Sequence, residues 1–214
     1  MSEKNSNKYV KDPRYQFSTK NSKIFFTSDT HFGHKNIIQY CSRPWKNVQE
    51  MTDGLIENWN SVVGPDDIVF HLGDLVFGGS ELFNYVMKRL NGKKYLILGN
   101  HDYKNIREHY REYFVDVHPK MIISVDGTEI ILNHEPLLCF GGQDSYRFWN
   151  LFGHVHTQHG ETQGSDFERL EKMCTPTMYD VGVDFNYYKP VSFETLKSKI
   201  EYQVKNGVNY LFWK

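Results

Sequence analysis

Ser28-Asp29-Thr30-His31-Phe32-Gly33-His34 follows directly on the apolar run Ile24-Phe25-Phe26. A short aromatic and β-branched run reads as a buried strand, so the polar stretch falls at a strand end. A carboxylate and an imidazole two residues apart, just past a strand, can reach one point in space. That is how a chain begins a metal site. Alone, Asp-x-His is a weak sign and more often marks a solvated loop. Its meaning depends on whether the same arrangement recurs.

It recurs four times. Ile68–Leu72 leads into Gly73-Asp74, and Tyr95–Leu98 into Gly99-Asn100-His101-Asp102. Glu129–Leu132 leads into Asn133-His134-Glu135, and Asn150–Phe152 into Gly153-His154-Val155-His156. Ligand sites in α/β sheets collect beyond the carboxyl ends of strands. The five clusters are therefore expected on one rim.

Between these runs lie helical patterns. Met51, Leu55, Ile56, Trp59 and Val62 recur at helical spacing and predict a helix over 48–63. Ser80 is placed to cap a second helix with Leu82, Phe83, Val86, Met87 and Leu90 on its core face. Residues 103–114 read as helical, and Ser192 caps a last helix that Gly207 ends. Ile122–Val125 and Glu129–Leu132 form a hairpin across Asp126-Gly127, a type I′ turn signal. Strands alternating with helices, then a hairpin-rich half, indicate an α/β layered domain. Residues 1–22 are a loosely held polar tail from which Tyr15 and Phe17 could dock, and 23–214 form one domain. Residues 157–178 read as a long loop of the kind that carries function.

Composition narrows the class. The 214 residues are 39% hydrophobic and 15% aromatic, enough for a sizeable core. The net charge of −1 advertises neither nucleic acid nor an anionic membrane. No apolar run approaches the ~20 residues of a membrane span, and the polar N-terminus has no secretory core segment. Cys41, Cys139 and Cys174 are odd in number and lack Cys-x-x-Cys spacing. Reduced thiols in a cytoplasmic setting are the expectation.

The strand-end clusters contain Asp29, His31, Asp74, Asn100, His101, His134, His154 and His156. Carboxylates, an amide oxygen and several imidazoles suit a borderline divalent ion: Mn²⁺, Fe²⁺, Zn²⁺ or Ni²⁺. The set is too large for one mononuclear catalytic site and suits two ions sharing a carboxylate, about 3.5–4 Å apart. Such a pair clamps a phosphate and lowers the pKa of a bound water.

In this order the motifs resemble the calcineurin-like metallophosphoesterases, whose series is D-x-H, G-D, G-N-H-D/E, H and G-H-x-H. All five are present here, and the likeness runs from about residue 24 to 184. The chain looks most like the small members without a cap domain from bacteria and phages. The resemblance implies a four-layer α-β-β-α sandwich with two central mixed sheets. It puts Asp29, His31 and His156 on one ion, Asn100, His134 and His154 on the other, and Asp74 between them, with Mn²⁺ first among the candidate metals. His101 would not ligate; it would stabilise the phosphoryl group or protonate the leaving oxygen, oriented by Asp102. A hydroxide between the metals would attack phosphorus in line. The implied partner is a phosphate ester, with nucleotides among the candidates. Phosphodiesters come first, because no cap domain is evident to enclose a small monoester. Phosphomonoesterase or nucleotidase, nuclease and non-catalytic metal scaffold are the alternatives.

Other residues have a bland reading beside the functional one. His34 could touch substrate phosphate or cap the following helix, evenly balanced. Arg43, Tyr146 and Arg147 could bind phosphate or a base, but serve equally well as loop residues. His71, inside a strand, reads as a satisfied core histidine. His109, His118 and His159 read as surface.

Overall fold

The computed structural model describes residues 15–105, 108–142, 146–157, 169–170 and 172–209. Most of the predicted 157–178 loop, with His159, lies outside the described residues, as do the side chains of residues 104–110.

Two five-stranded sheets form the centre. Their strands are β1 (Tyr15–Phe17), β2 (Ile24–Thr27), β3 (Ile68–His71), β4 (Lys93–Ile97), β5 (Asp116–His118), β6 (Lys120–Val125), β7 (Thr128–Asn133), β8 (Phe148–Phe152), β9 (Met178–Asp180) and β10 (Val191–Ser192). One sheet runs β10-β2-β3-β4-β5, the other β1-β6-β7-β8-β9. In the first, β2 to β5 are parallel and β10 is antiparallel. In the second, only β6 and β7 pair antiparallel. Both sheets are mixed and helices flank them, as the α/β sandwich requires.

Alternation along the strands explains the layers. Ile24, Phe26, Phe70, Leu72, Tyr95 and Ile97 point between the sheets and meet Ile123, Ile130, Leu132 and Leu151. Phe25, Val69 and Leu96, one residue out of phase, point the other way. There they meet α2 (Val48–Asn60) through Met51, Leu55, Ile56 and Trp59, and α3 (Ser80–Met87) through Phe83, Val86 and Met87. Between them in sequence, α1 (Ile37–Tyr40) is a single turn. The last helix, α5 (Phe193–Asn206), sends Leu196 and Ile200 into the inter-sheet core. Ser192 accepts from Thr195 N–H at its start and Gly207 ends it with φ +64°. No helix among the described residues is long and apolar enough to cross a membrane.

Three expectations change. Tyr15–Phe17, expected in the loose tail, forms edge strand β1 in register with Ile123–Val125, and Phe17 packs edge-on against Phe70 and Tyr95 at 5.2 and 5.6 Å. Burying those rings supplies what local propensity lacks. Ser80 is the first residue of α3; Gly79 takes the cap position in extended geometry, and no side chain caps that helix. The 103–114 segment is split into a short helix, α4 (Asp102–Asn105), and a 3₁₀ stretch, Glu108–Tyr113. The Asp126-Gly127 turn is as expected, with φ +47° and +83° at its two residues.

Candidate metal centre

The strand-end loops that leave β2, β3, β4, β7 and β8 meet at one rim. They are stitched to each other by backbone bonds: Asp29 N–H donates to Gly73 O and His31 N–H to Asp74 O, each at 3.0 Å, and Gly153 N–H to His134 O at 2.9 Å. Asp29, His31, Asp74, His154 and His156 all have left-handed backbones, with φ between +48° and +70°. An L-residue there costs about 1–2 kcal/mol; packed neighbours hold this strain, which concentrates where function needs a fixed geometry. Gly153 belongs to the same packing. A β-carbon there would overlap Asp29 Oδ2 and Ser28 Oγ.

Each polar atom can be traced. Asp29 Oδ2 accepts from His154 N–H at 2.9 Å, while Oδ1 is buried with no partner. Both ring nitrogens of His31 are likewise buried without a partner. Asp29 Oδ1 lies 3.9 Å from His31 Nε2 and 3.8 Å from His156 Nε2. Asp74 Oδ1 accepts from His101 N–H at 3.0 Å. Its Oδ2 stands 3.5 Å from His31 Nε2 and 3.6 Å from His134 Nε2. Asn100 Oδ1 is 3.1 Å from His134 Nε2 and 3.2 Å from His154 Nδ1. Ligands about 2.1 Å from one ion stand about 3.0–3.4 Å apart; the Asn100, His134 and His154 atoms have that spacing, and those of Asp29, His31 and His156 are grouped within 4.8 Å.

Tautomers follow from the outer partners. His134 Nδ1 lies 2.7 Å from Leu72 O, so it carries the proton and leaves Nε2 bare toward Asp74 and Asn100. His156 Nδ1 lies 2.8 Å from Asp184 Oδ2, which makes Nδ1 a donor and turns Nε2 toward Asp29. Burial, with His156 and Arg43 nearby, holds His31 well below the usual histidine pKa, so it is neutral. Burial pulls His156 the same way, yet Asp29 and the Asp184 hydrogen bond overcome it and raise its pKa well above normal. Buried carboxylates that draw a proton onto a histidine, beside orphaned acceptors, form a pocket short of positive charge. The residues fit divalent cations.

The profile of the calcineurin-like phosphoesterase family matches residues 22–211. The chain belongs to that family. Phosphoesterases of this family hydrolyse phosphoric esters with divalent metals. The Methanocaldococcus jannaschii protein MJ1445 is 35% identical over 185 residues, 84% of this chain and 92% of its own length. The gene 66 protein of Mycobacterium phage D29 is 28% identical over 76% of this chain and 88% of its own. Among solved structures, a protein of unknown function from Aquifex aeolicus, AQ665, superposes with a TM-score of 0.63 at 27% identity, over 83% of this chain and 99% of that one.

The other sequence candidates divide. His101 is at the rim, its side chain 42% exposed and its Nε2 3.9 Å from Asp74 Oδ2. The carboxylate of Asp102 accepts from the backbone N–H groups of Asp74, Leu75 and Gly99 at 2.8, 3.1 and 2.9 Å. Buried at the start of α4, it is pushed up to a pKa of about 6, first by burial. It ties the loop after β3 to the loop after β4. His34 stacks on Phe77 beside the site; burial, then His101, lowers its pKa.

Arg43, expected to contact phosphate, is buried with all five N–H donors taken. They go to Asp184 Oδ1 and Oδ2, to the carbonyls of Thr30 and Asp29, and to Met51 Sδ. Arg147 precedes β8, at the opposite end of that strand from His154. It lines a cavity of about 340 Å³ with Asp126, Lys197 and Glu201, away from the metal-ligand loops. His71 is satisfied by Thr30 Oγ1 at 3.0 Å and Gly73 N–H at 3.2 Å, as a core histidine should be.

Asp184 is the residue that sequence reasoning missed. It joins His156 to Arg43 and so to the backbone of Asp29. Cys41, His156 and Asp184 form a further close group of ligand atoms, but Arg43 already neutralises the Asp184 carboxylate at 2.8 and 2.9 Å.

Proposed function

We propose that the chain hydrolyses phosphodiesters at a two-cation centre. Asp29, His31 and His156 hold one ion, Asn100, His134 and His154 the other, and Asp74 serves both. The observation that carries this reading is the position of Asp74 Oδ2, 3.5 Å from His31 Nε2 and 3.6 Å from His134 Nε2. When bound, two divalent ions, Mn²⁺ first among them, supply Lewis-acid polarisation of the phosphoryl group and acidify the attacking water.

The protein's own groups do the rest. Asp29, His31 and Asp74 are buried while Asn100 is exposed and His101 half-exposed, so substrate approaches from the Asn100 and His101 side. Water adds to phosphorus in line with the ester oxygen that leaves. His101, half-exposed at the rim, gives that oxygen a proton as the P–O bond breaks; an alcohol and a phosphomonoester result. No insertion between the five motifs is long enough to form a cap, which favours diesters over a small enclosed monoester.

Turnover of bis-p-nitrophenyl phosphate and of p-nitrophenyl phosphate, both with Mn²⁺, tests the substrate class. Faster hydrolysis of the diester is expected. Faster hydrolysis of the monoester would reassign the chain as a phosphomonoesterase.

A further inference from the structure

Beside the metal-ligand loops lies a circuit of four rings. His31 and His34 have centroids 5.5 Å apart, His34 and Phe77 4.4 Å, Phe77 and His101 5.2 Å, and His101 and His31 5.7 Å. Three are histidines of the site or its edge. The fourth, Phe77, is an apolar ring left 38% exposed. Tyr40, 63% exposed, extends the strip with its ring 6.3 Å from His34.

A lone exposed phenylalanine is ordinary. Phe77 differs in how firmly it is placed. Its N–H donates to Phe32 O at 2.7 Å, while Phe32 N–H donates to Leu75 O at 2.9 Å and Val76 bridges to Phe32. The 74–77 segment is therefore an extension of the ligand loop itself. Gly33, with φ +85°, makes room for it: a β-carbon there would press on Phe77 O and overlap Leu82. His34 is held to Phe77 by its ring face, 24° from parallel, and its Nδ1 has no hydrogen-bond partner. Phe77 and Tyr40 both keep ring surface exposed to solvent, and the Phe77 ring also meets that of His101 edge-to-face.

We propose that Phe77, backed by His34, is a stacking subsite for a planar ring carried by the ester group of the substrate. The ligand class is aryl or nucleoside phosphate esters. The proposal rests on the phosphoesterase reading: there His101 meets the ester oxygen that leaves, and its ring stands 5.2 Å from Phe77, which puts the ester substituent beside Phe77. Burial of an aromatic ring against Phe77 favours such esters over aliphatic ones.

Benzylphosphonate and methylphosphonate, which resist hydrolysis and differ only by the ring, isolate this subsite. Their binding to the Mn²⁺-loaded protein is measured by titration calorimetry. Benzylphosphonate is expected to bind roughly 10-fold tighter. Phe77→Ala should erase that preference and leave methylphosphonate affinity unchanged, while Phe77→Tyr should keep it and show that the fold survives substitution. Equal affinities in the unaltered protein, or a preference that persists in Phe77→Ala, would overturn the subsite alone. Failure of both phosphonates to bind would overturn the phosphoesterase reading and the subsite with it.

Discussion

Asp184 Oδ2 lies 2.8 Å from Nδ1 of His156, both side chains held on left-handed or turn backbone at the rim. A carboxylate in that place fixes the imidazole's tautomer and raises the basicity of its other nitrogen. Arg43 holds the carboxylate from the other side and caps the Asp29 and Thr30 carbonyls. One guanidinium thus ties the Asp29 loop to the carboxylate that holds His156.

Asp184→Asn keeps the shape and removes the charge. Metal affinity should fall about 10- to 100-fold, read by competition with a calibrated chelator. An unchanged affinity would deny Asp184 its part in orienting His156.

Arg43→Met leaves Asp184 buried without its cation. Breaking a buried pair from one side costs about 3–5 kcal/mol, so the urea midpoint should drop sharply, and Asp184→Asn added to it should restore part of the loss. A shift of the size of a surface substitution would contradict the buried placement of Arg43.

The candidate ligands were legible because each cluster follows a strand-like run: Asp29, Asp74, Asn100, His134 and His154 all sit at such ends. The left-handed backbones of Asp29, Asp74 and His154 were not, since nothing in Asp or His as residue types demands positive φ. Asp184 was missed because it closes the alternating run 179–184, which reads as a strand, and its arginine partner is 141 residues distant. The anchoring part of Asp102 was not legible, because in sequence it only stands next to His101. At the start of a helix its carboxylate meets three backbone amides. Edge strand β1 was hidden by its brevity; its Phe17 gains order only through Phe70 and Tyr95.

Asp102→Ala should therefore act on stability. Three buried amides lose their acceptor, a cost of about 2–3 kcal/mol in urea unfolding. A variant as stable as the unaltered protein would refute the tie between the two loops.

His101→Ala should lower kcat about 10²- to 10⁴-fold toward poor leaving groups. Its metal content, by elemental analysis, should be unchanged. Loss of metal would turn His101 into a ligand.

The central claim is that Asp74 serves two cations. Protein stripped with chelator, reloaded with Mn²⁺ and freed of excess metal should hold two ions per chain, and Asp74→Asn no more than one. One ion in the unaltered protein, or two retained in Asp74→Asn, would contradict it.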